Sequence, residues 1–547
     1  MDSEHRKKSV CFFWLFRDKV FDKKSAGFGG KMQSSFSYNV MSYPTKFFLQ
    51  THPDRLASIA AWYGMEPPTV GKCRFLELGC GNGSNLISHA FNLPDAEFVG
   101  VDLSENHIRQ AKESAQELNL LNVKFYELDV MKMTVEEFGK FDYIIAHGLF
   151  SWVPSFVREK VLSLYREMLA PNGVGYVSYN AYPGAHLRDM LRNMMLFYTQ
   201  NISEPMEKVG NAISFLSFLA ENTSATKTYQ PILQDELARH SRHDETAVFH
   251  DDLADNYQPF YFHEFASELE KNGLQFLSEA ELQAMSINSF SLEARNFLDS
   301  FDDPVQREQY RDFLSGRVFR QTLFCHRKIA LNRQIEFSIL NKFLLSSPIR
   351  PQSDKPELAA DKVEKFVGTG GTGFEINHSL TKAALLHLGK IWGRAISFPE
   401  LLQAAKQMLE EQDLTDENWE TRFNEAGAIF FQICFNTSII ELHLHHPQSV
   451  AEISEMPEVN RLSRWQLRHS DLVTTLLNKY MKIDDPVSRR LLELLDGTRN
   501  RAELSAQISE FIETNIEPEN KREMLDNLPN WLDESLFKLA RTGMFVS

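Results

Sequence analysis

The segment from Arg74 to Asn85, with the sequence RFLELGCGNGSN, constrains the fold of this chain more than any other stretch. An apolar strand pattern at positions 75–78 runs directly into glycines at 79, 81 and 83, and a helical pattern follows. Glycine lets the backbone adopt positive φ and approach a ligand closely, and the N-terminus of a helix offers free N–H groups. The segment therefore predicts a strand, a tight turn and a helix. Dinucleotide-binding folds share this arrangement with turns that bind nothing.

The residues around this turn favour a positively charged ligand over a dinucleotide. Position 84 is Ser, so the third glycine of the dinucleotide pattern Gly-x-Gly-x-x-Gly is missing. Glu77 lies two residues before Gly79, where a carboxylate would repel a pyrophosphate and attract a cation. The next predicted strand ends in Asp102, and an acid at such a strand end can accept hydrogen bonds from both hydroxyls of a ribose. Together these features indicate a cationic nucleoside.

The alternation of strands and helices continues to residue 179. A third predicted strand, Val123–Asp129, ends in another acid, which is placed to accept from an adenine amino group. A fourth strand, Phe141–Ala146, is followed by His147, and a fifth covers Val174–Tyr179. Short apolar strands that alternate with amphipathic helices predict an α/β fold with a parallel sheet and crossover helices.

Over about residues 73–180, this order of strand-end features resembles the class I S-adenosylmethionine-dependent methyltransferases. The resemblance implies a Rossmann-like domain with a mainly parallel seven-stranded sheet, and S-adenosyl-L-methionine as the cofactor. It places Glu77, Gly79 and Gly81 on the methionine side of that cofactor. Asp102 would hold the ribose, and Asp129 would neighbour the adenine. The full set of cofactor-binding residues implied by the resemblance, in which the first two tyrosines would form a lid, is Tyr38, Tyr43, Glu77, Gly79, Gly81, Asn85, Asp102, Leu103, Asp129, Val130 and His147.

A narrower resemblance extends over about residues 36–335. Its motifs are QTHPDRLA (50–57), HGLFSWVP (147–154), YVSYNAYPG (176–184), HDDLADN (250–256) and YFHEF (261–265). They are similar to bacterial methyltransferases with a methyltransferase regulatory domain, a group that includes rickettsial protein-lysine methyltransferases acting on outer-membrane proteins. The resemblance implies a protein acceptor, such as an envelope or outer-membrane protein before export. Phe150 stands where the group pattern has Tyr, and Ala185 where it has an aromatic residue, both near the expected acceptor mouth.

The chemistry of methyl transfer suggests which residues would act on the acceptor. In-line displacement at a sulfonium requires alignment of the reacting atoms and exclusion of water. A lysine acceptor must arrive as the neutral amine, which requires an apolar mouth or a base. The candidates for these roles are His147, Trp152, Tyr179, Asn180 and Tyr182. Three of them have a structural alternative: Trp152 as a loop anchor, Tyr179 as an ordinary strand residue and His147 as an ordinary hydrogen-bonded histidine.

The length of 547 residues predicts about three domains. The expected division is a flexible leader (1–35, with Met32 as an alternative start), a methyltransferase domain (36–204), a mostly helical regulatory or cap domain (205–344), a Pro/Gly-rich linker (345–375) and an α+β winged-helix-like domain (376–547). Helices are predicted at Ile213–Leu219, Phe262–Lys271, Val305–Leu314, Leu380–Trp392, Pro399–Glu410, Leu467–Tyr480, Val487–Leu495 and Arg501–Phe511, and a strand at Ser438–Leu444. No strand pattern of comparable strength stands out between 205 and 335.

Composition excludes several classes of function. The net charge is −16, from 74 acidic and 58 basic residues, which disfavours nucleic acid as the main partner. No apolar run approaches the roughly 18 residues of a membrane span. The five cysteines show no paired or CxxC spacing, which predicts a cytoplasmic protein without disulfides or structural zinc. Histidine clusters at 240–250 and 443–446 lack metal-ligand spacing, so no metal is expected. The oligomeric state cannot be derived from these features.

The function predicted from the sequence is therefore methylation of lysine side chains of a protein from S-adenosylmethionine. The regions outside the methyltransferase motifs, well over half of the chain, favour a macromolecular acceptor. Two alternatives stay open: methylation of a small molecule or lipid headgroup, and a cofactor-binding scaffold or sensor without catalysis.

Overall fold

A computed structural model describes residues 47–223, 228–240, 245–368, 371–412, 418–450 and 452–546. The expected leader (1–35) and the expected lid tyrosines, Tyr38 and Tyr43, lie outside the described residues. Every helix in the described part of the chain is too short or too polar to cross a bilayer.

Within the described residues, seven strands form the central sheet. They are β1 (Arg74–Leu78), β2 (Glu97–Asp102), β3 (Val123–Glu127), β4 (Phe141–Ala146), β5 (Leu169–Asn180), β6 (Leu274–Glu279) and β7 (Phe319–His326). Their order is β3-β2-β1-β4-β5-β7-β6. Pairs β2–β3, β1–β2, β1–β4 and β4–β5 are parallel, whereas β7 runs antiparallel to both β5 and β6. The predicted Rossmann-like fold with a mainly parallel seven-stranded sheet is confirmed.

Two strands of this sheet come from the region predicted as helical. β6 and β7 lie between residues 274 and 326, and they complete the sheet that begins at Arg74. β7 lies between β5 and β6, and most of its side chains are buried. A strand covered on both faces does not show the alternation of apolar and polar residues that marks a half-exposed strand. The strands β6 and β7 thus lie in a region that the sequence pattern marked as mostly helical, and the domain boundary at 204/205 stays a prediction.

The helices of this half, in chain order, are α1 (Pro53–Trp62), α2 (Ser84–Asn92), α3 (Glu105–Glu117), α4 (Val135–Phe138), α5 (Ser155–Met168), α6 (Ala185–Tyr198), α7 (Pro205–Asn222), α8 (Tyr229–His240), α9 (Glu245–Asp252), α10 (Phe262–Lys271), α11 (Leu292–Asp299) and α12 (Pro304–Ser315). The helices predicted between 213 and 314 are confirmed as parts of α7, α10 and α12. Local sequence sets several ends: Ser104 caps α3 by accepting from the His107 N–H (3.3 Å), and Gly316, at φ +59°, ends α12.

The expected linker contains regular structure. It holds most of β8 (Leu344–Ser346) and β9 (Arg350–Pro351), β10 (Glu364–Val367) and all but the last residue of β11 (Gly373–Ile376). Pro351 is tolerated because β9 is an edge strand, which can lack one N–H donor. At Gly373, a Cβ would lie 2.3 Å from the Phe366 carbonyl oxygen of the paired strand. Proline and glycine thus mark strand edges and a close strand contact rather than a featureless connector.

The remaining elements, in chain order, are α13 (Ser379–Lys390), β12 (Ile396–Ser397), α14 (Phe398–Glu410), α15 (Trp419–Asn436), β13 (Glu441–His443), α16 (Arg461–Gln466), β14 (Leu472–Thr474), β15 (Tyr480–Lys482), α17 (Pro486–Leu494), α18 (Arg501–Asn515), α19 (Pro518–Asp526) and α20 (Leu528–Arg541). Four predicted helices and the predicted strand are found, as α13, α14, α17, α18 and β13. The predicted helix Leu467–Tyr480 is wrong, because β14 and β15 form an antiparallel hairpin there. Asn478, with φ +55°, provides its left-handed turn residue.

The core is continuous between the methyltransferase sheet and the C-terminal half. One face of the sheet, including Phe75 and Tyr176, shares a buried cluster with Leu345, Leu385 and Phe430. The other face packs in a separate cluster that includes Tyr179. The C-terminal half is therefore a structural support of the sheet.

Candidate active site

The candidate site lies at the carboxyl edge of the sheet. β1, β2, β4 and β5 are parallel, so their C-terminal ends meet at one edge. Glu77, Asp102, His147 and Asn180 lie at or next to these ends. In open α/β sheets this edge is where ligands bind.

The glycine turn leaves bare backbone beside the end of β1. Gly81 has φ +53°, and a Cβ placed on it would meet no atom within 4 Å, so the backbone there is open to a ligand. Gly83 is required for packing, because a Cβ there would lie 2.6 Å from the Phe125 ring. The sequence-predicted strand, turn and helix are thus present as β1, residues 79–83 and α2.

Glu77 is a buried carboxylate with spare hydrogen-bonding capacity. Its side chain is 3% exposed, and Asn85 Nδ2 donates to its Oε1 (3.1 Å). Its Oε2 has no hydrogen-bond partner among the described residues. Burial, and secondly the charge of Asp102, raise the pKa of Glu77 to about 8 despite the bond from Asn85. A buried carboxyl group with an unsatisfied oxygen, which ionises when a cation binds beside it, fits the positively charged amino group and sulfonium of S-adenosylmethionine.

Asp102 is held in place by backbone donors. Its Oδ2 accepts from the Gly81 N–H (2.9 Å) and its Oδ1 from the Ser104 N–H (2.8 Å). Each carboxylate oxygen has a second acceptor position. The two hydroxyls of a ribose can therefore bind a carboxylate whose orientation is already fixed.

The expected adenine side combines an acid with partly exposed apolar residues. Asp129 Oδ1 accepts from the Met131 N–H (3.0 Å), which fixes the carboxylate at the start of a short 3-10 helix, Val130–Lys132. Leu103 is 49% exposed, and Val130 is partly buried. An apolar surface with a neighbouring carboxylate suits an aromatic base that carries an amino group.

His147 lies in an aromatic environment that the sequence did not reveal. The Phe48 ring lies 3.7 Å from the imidazole, centroid to centroid, and Phe319 lies 6.3 Å away. His147 Nδ1 is hydrogen-bonded to the Tyr176 hydroxyl (2.7 Å). The period of two along β5 puts Tyr176 and Tyr179 on opposite faces of the sheet, but it does not tell which face carries the site. No local signal connects Phe48 or Phe319 to this site.

The structure does not bring all predicted catalytic residues together. Tyr179 is 1% exposed and packs on the opposite face of the sheet, 4.4 Å from the Phe265 ring, and its hydroxyl accepts from Thr322 Oγ1 (3.3 Å). Burial raises its pKa. We therefore exclude Tyr179 from the site and adopt the alternative, that it is a strand residue in the core.

Trp152 and Asn180 lie next to each other around Arg188. The Trp152 ring contacts Tyr257 (5.0 Å between centroids), and the Arg188 guanidinium lies 5.8 Å from the Trp152 ring. Arg188 Nη1 donates to Asn180 Oδ1 (3.5 Å), and the Asn180 N–H donates to Ser151 Oγ (2.9 Å). These contacts anchor the loop after β4 to the end of β5.

Tyr182, two residues beyond β5, belongs to an aromatic cluster. Its ring stacks on His186 (3.9 Å) and lies 5.1 Å from Tyr261. Its hydroxyl donates to Asp189 Oδ2 (2.6 Å). Burial, and then the bond and charge of Asp189, raise the pKa of Tyr182. His186, Asp189 and Tyr261 were not among the residues predicted from the sequence.

The histidine cluster at 240–250 is part of an ionic network with two arginines. Ligand atoms of Glu236, His240 and Asp252 lie within 4.8 Å of one another. However, the Asp252 carboxylate already accepts from Arg188 Nε (2.9 Å) and Arg239 Nη2 (3.0 Å). Burial opposes ionisation, but bonds and charges from His240 and both arginines lower the pKa of Asp252. This carboxylate is thus neutralised by cations of the chain itself. The predicted cluster members His243 and Asp244 lie outside the described residues.

Three family models match this chain. They are a methyltransferase domain over residues 70–236, a predicted methyltransferase regulatory domain over 244–326 and a PKMT C-terminal winged helix domain over 455–544. Among proteins, the chain is similar to RP789 of Rickettsia prowazekii, with 31% identity over 385 residues that span 69% of each chain. It also matches RP028 of the same organism, with 31% identity over 248 residues, 45% of this chain and 99% of that protein.

Solved structures support the same relationship over nearly the whole chain. PKMT2 from Rickettsia typhi has 29% identity and a TM-score of 0.81, covering 92% of this chain and 100% of that one. The same protein in complex with AdoHcy matches with 28% identity, the same TM-score and the same coverage. AdoHcy is the product that remains when S-adenosylmethionine has given up its methyl group. The fold, the carboxylate-lined edge and these matches establish that the chain belongs to the family of S-adenosylmethionine-dependent methyltransferases with a regulatory domain and a PKMT-type winged helix domain.

Proposed function

We propose that this methyltransferase modifies lysine side chains of a protein acceptor. The observation that carries the proposal is the aromatic cluster of Tyr182, His186 and Tyr261 beside the end of β5, which we call the acceptor mouth. Similarity to PKMT2, a protein-lysine methyltransferase, over 92% of the chain supports a protein acceptor. Bound S-adenosylmethionine would supply an electrophilic methyl group on a sulfonium.

The acceptor mouth fits the needs of an amine nucleophile. Aromatic faces desolvate an arriving ammonium and favour its neutral form, and they also stabilise the alkylated cation that forms. Because the Tyr182 hydroxyl donates its proton to Asp189, its oxygen presents acceptor lone pairs. That oxygen can accept from an amine N–H and so direct the nitrogen lone pair away from Tyr182. Phe319 lies near the cofactor side, 6.3 Å from His147, and pairs with Asn180, two residues before Tyr182 of the mouth.

The position of the winged helix domain argues against a nucleic-acid function. Its β14–β15 hairpin packs on α2, where Ser88 Oγ and Thr474 Oγ1 lie 3.4 Å apart and Asn92 Nδ2 donates to Asn478 Oδ1 (2.5 Å). Trp465 Nε1 of this domain donates to Glu117 Oε2 (2.6 Å). The hairpin thus supports the methyltransferase half, and the net charge of −16 would repel phosphates.

We extend the proposal to an envelope or outer-membrane protein that is methylated in the cytoplasm before export. The extension is supported by the sequence resemblance to rickettsial enzymes. The described cysteines, Cys73, Cys80, Cys325 and Cys434, are free and buried, which fits a reducing compartment.

The proposal is tested by incubating the purified chain with methyl-labelled S-adenosylmethionine and a cell lysate, with and without an added outer-membrane protein fraction. Mass spectrometry should find the label on lysine side chains. Asp102→Ala should strongly reduce labelling, whereas Tyr198→Phe, a change in the ring stack with Phe215, should not alter it. Label found only in small molecules or lipids would favour methylation of a small molecule or lipid headgroup and overturn the protein acceptor.

A further inference from the structure

A buried polar cluster joins the start of α1 to the strand region of β13. Asp54, near the start of α1, is 6% exposed and accepts three hydrogen bonds from the strand region of β13. Its Oδ2 is bound to His443 Nδ1 (2.8 Å), and its Oδ1 accepts from the Leu444 N–H (2.8 Å) and the His445 N–H (2.9 Å). We call this set of contacts the Asp54 clamp. It joins the C-terminal half to the segment that precedes the methyltransferase sheet.

The same segment reaches the cofactor side three residues earlier. Thr51 is fully buried, and Asn85 Nδ2 donates both to its Oγ1 (3.0 Å) and to Glu77 Oε1 (3.1 Å). Asn85 Oδ1 accepts from the Phe48 N–H (3.0 Å), and the Phe48 ring lies on His147. The residues 48–51 therefore orient the amide that holds Glu77, and they cover His147.

The segment between these two sets of contacts is short and regular. A 3-10 helix, Leu49–Thr51, is followed by His52, which caps α1 through a bond from the Asp54 N–H to His52 Nδ1 (3.3 Å). The His89 ring packs on His52 (5.0 Å), and His89 Nε2 is bound to Thr51 Oγ1 (3.1 Å). A displacement at Asp54 is therefore transmitted to Thr51 rather than absorbed by loop motion.

We propose that Asp54 and His443 are positioning residues for the cofactor: the clamp holds segment 48–54 so that Thr51, Asn85 and Glu77 are set for binding. The C-terminal half, through β13, thereby controls cofactor affinity without touching the cofactor. This inference concerns the cofactor and does not depend on the identity of the acceptor.

The electrostatics of the clamp favour its charged form. Burial lowers the pKa of His443, but the hydrogen bond and charge of Asp54 outweigh burial, so the pKa is raised overall. The charge of Glu441 raises this pKa further, and that of Lys479 lowers it. The bond and charge of His443 overcome burial and lower the pKa of Asp54. Of the other histidines in the cluster, burial lowers the pKa of His52, and it lowers that of His89 to about 3, so both are neutral near pH 7. The raised pKa of His443 and the lowered pKa of Asp54 both favour a charge-assisted bond, which weakens as pH rises through the pKa of His443.

Calorimetry with S-adenosylhomocysteine on the full chain tests the proposal without an activity assay. His443→Ala and Asp54→Ala should each weaken binding about tenfold, a typical coupling between sites. His378→Ala is the matched control, because His378, like His443, pairs with a carboxylate, Glu425 (3.3 Å), and its hydrogen bonds and ion pairs among the described residues do not reach segment 48–54. It should change melting temperature and leave affinity within about twofold.

A double-mutant cycle separates positioning from general destabilisation. If the clamp acts through Thr51, Thr51→Val combined with His443→Ala should lose little more affinity than Thr51→Val alone. Additive losses, unchanged affinity in folded His443→Ala, or an equal loss in His378→Ala would each overturn the proposal.

If the alanine variants do not fold, Asp54→Asn and His443→Gln provide the same test through pH. Ionisation of Glu77 near pH 8 raises cofactor affinity, whereas weakening of the clamp lowers it. Because Glu77 is present in every variant, the ratio of the wild-type affinity to that of each variant isolates the effect of the clamp. This ratio should fall towards one as pH rises through the pKa of His443. A ratio that stays near one at every pH, or that does not vary with pH, would contradict the proposed positioning role of the clamp.

Discussion

The two sides of the active site are built in different ways. On the cofactor side, each of the acids Glu77, Asp102 and Asp129 lies at or near the C-terminal end of a different strand. Backbone N–H groups orient Asp102 and Asp129. On the acceptor side, His186 Nε2 and the Tyr261 hydroxyl are 3.0 Å apart but 75 residues apart in sequence. Sheet topology therefore places the carboxylates of the cofactor side, whereas the proposed acceptor mouth depends on how residue 261 and its neighbours pack against the end of β5. The predictions below test this difference.

The largest effect is expected at Asp102. Asp102→Ala should weaken S-adenosylhomocysteine binding about a hundredfold, because two charge-assisted hydrogen bonds to a ribose contribute about 3 kcal/mol. Calorimetry provides the measurement. Asp142→Ala is the control, since Asp142 accepts from the Arg74 N–H (2.8 Å) at the opposite edge of the sheet. Equal losses in both variants would mean that Asp102 acts only through stability.

The next effect is a pH dependence that originates at Glu77. Its pKa is raised to about 8, so the empty site holds a proton at neutral pH and a cationic cofactor must displace it. Affinity should therefore rise by up to about tenfold per pH unit below pH 8 and level off above it. Glu77→Gln should bind weakly, with a flat profile, when titrated between pH 6 and 9.

As pH rises towards 8, the ionisation of Glu77 should strengthen cofactor binding but lower the stability of the cofactor-free protein. A carboxyl with a raised folded-state pKa destabilises the cofactor-free protein as pH rises from its ordinary pKa towards 8. Glu77→Gln should thus be more stable than the wild type at pH 8.5 without ligand, by about 2 kcal/mol. Urea denaturation measures this difference. A less stable variant at that pH would contradict the buried-charge interpretation.

At the acceptor mouth, Tyr182→Phe should lower kcat about tenfold while cofactor affinity stays unchanged, because one hydrogen bond to the amine is lost. Steady-state kinetics and calorimetry on the same preparation separate the two quantities. A parallel loss of cofactor affinity would mean that Tyr182 contributes to cofactor binding rather than to acceptor binding.

The smallest effect is expected at Tyr179, the core tyrosine. Tyr179→Phe removes the bond from Thr322 and should cost about 1 kcal/mol of unfolding free energy, with kcat unchanged. Urea denaturation and the kinetic assay measure both. A drop in kcat comparable to that of Tyr182→Phe would mean that Tyr179 does take part in catalysis.

Much of the cofactor side could be predicted because its signals are local. A strand, a glycine turn and an acid at the next strand end occur within thirty residues, and each of these features predicts the local backbone conformation. β6 and β7 were missed because buried strands lack alternation. The helix predicted at 467–480 was wrong because its apolar spacing also suits a hairpin, which Asn478 closes with a positive φ. Phe48 and Phe319 were missed because no periodicity connects such distant positions.

The sequence by itself determined the strands β1–β5, their carboxylate-bearing edge and the preference for a cationic nucleoside, because strand ends and glycine turns are set by nearest neighbours along the chain. Only the tertiary structure decided which of two tyrosines in β5 faces the site: Tyr176 reaches His147, while Tyr179 enters the opposite core. It alone also brought Asp54 to His443, 389 residues away in sequence. Such pairings depend on how whole layers pack, since a buried polar group gains stability only from the partner that long-range folding delivers.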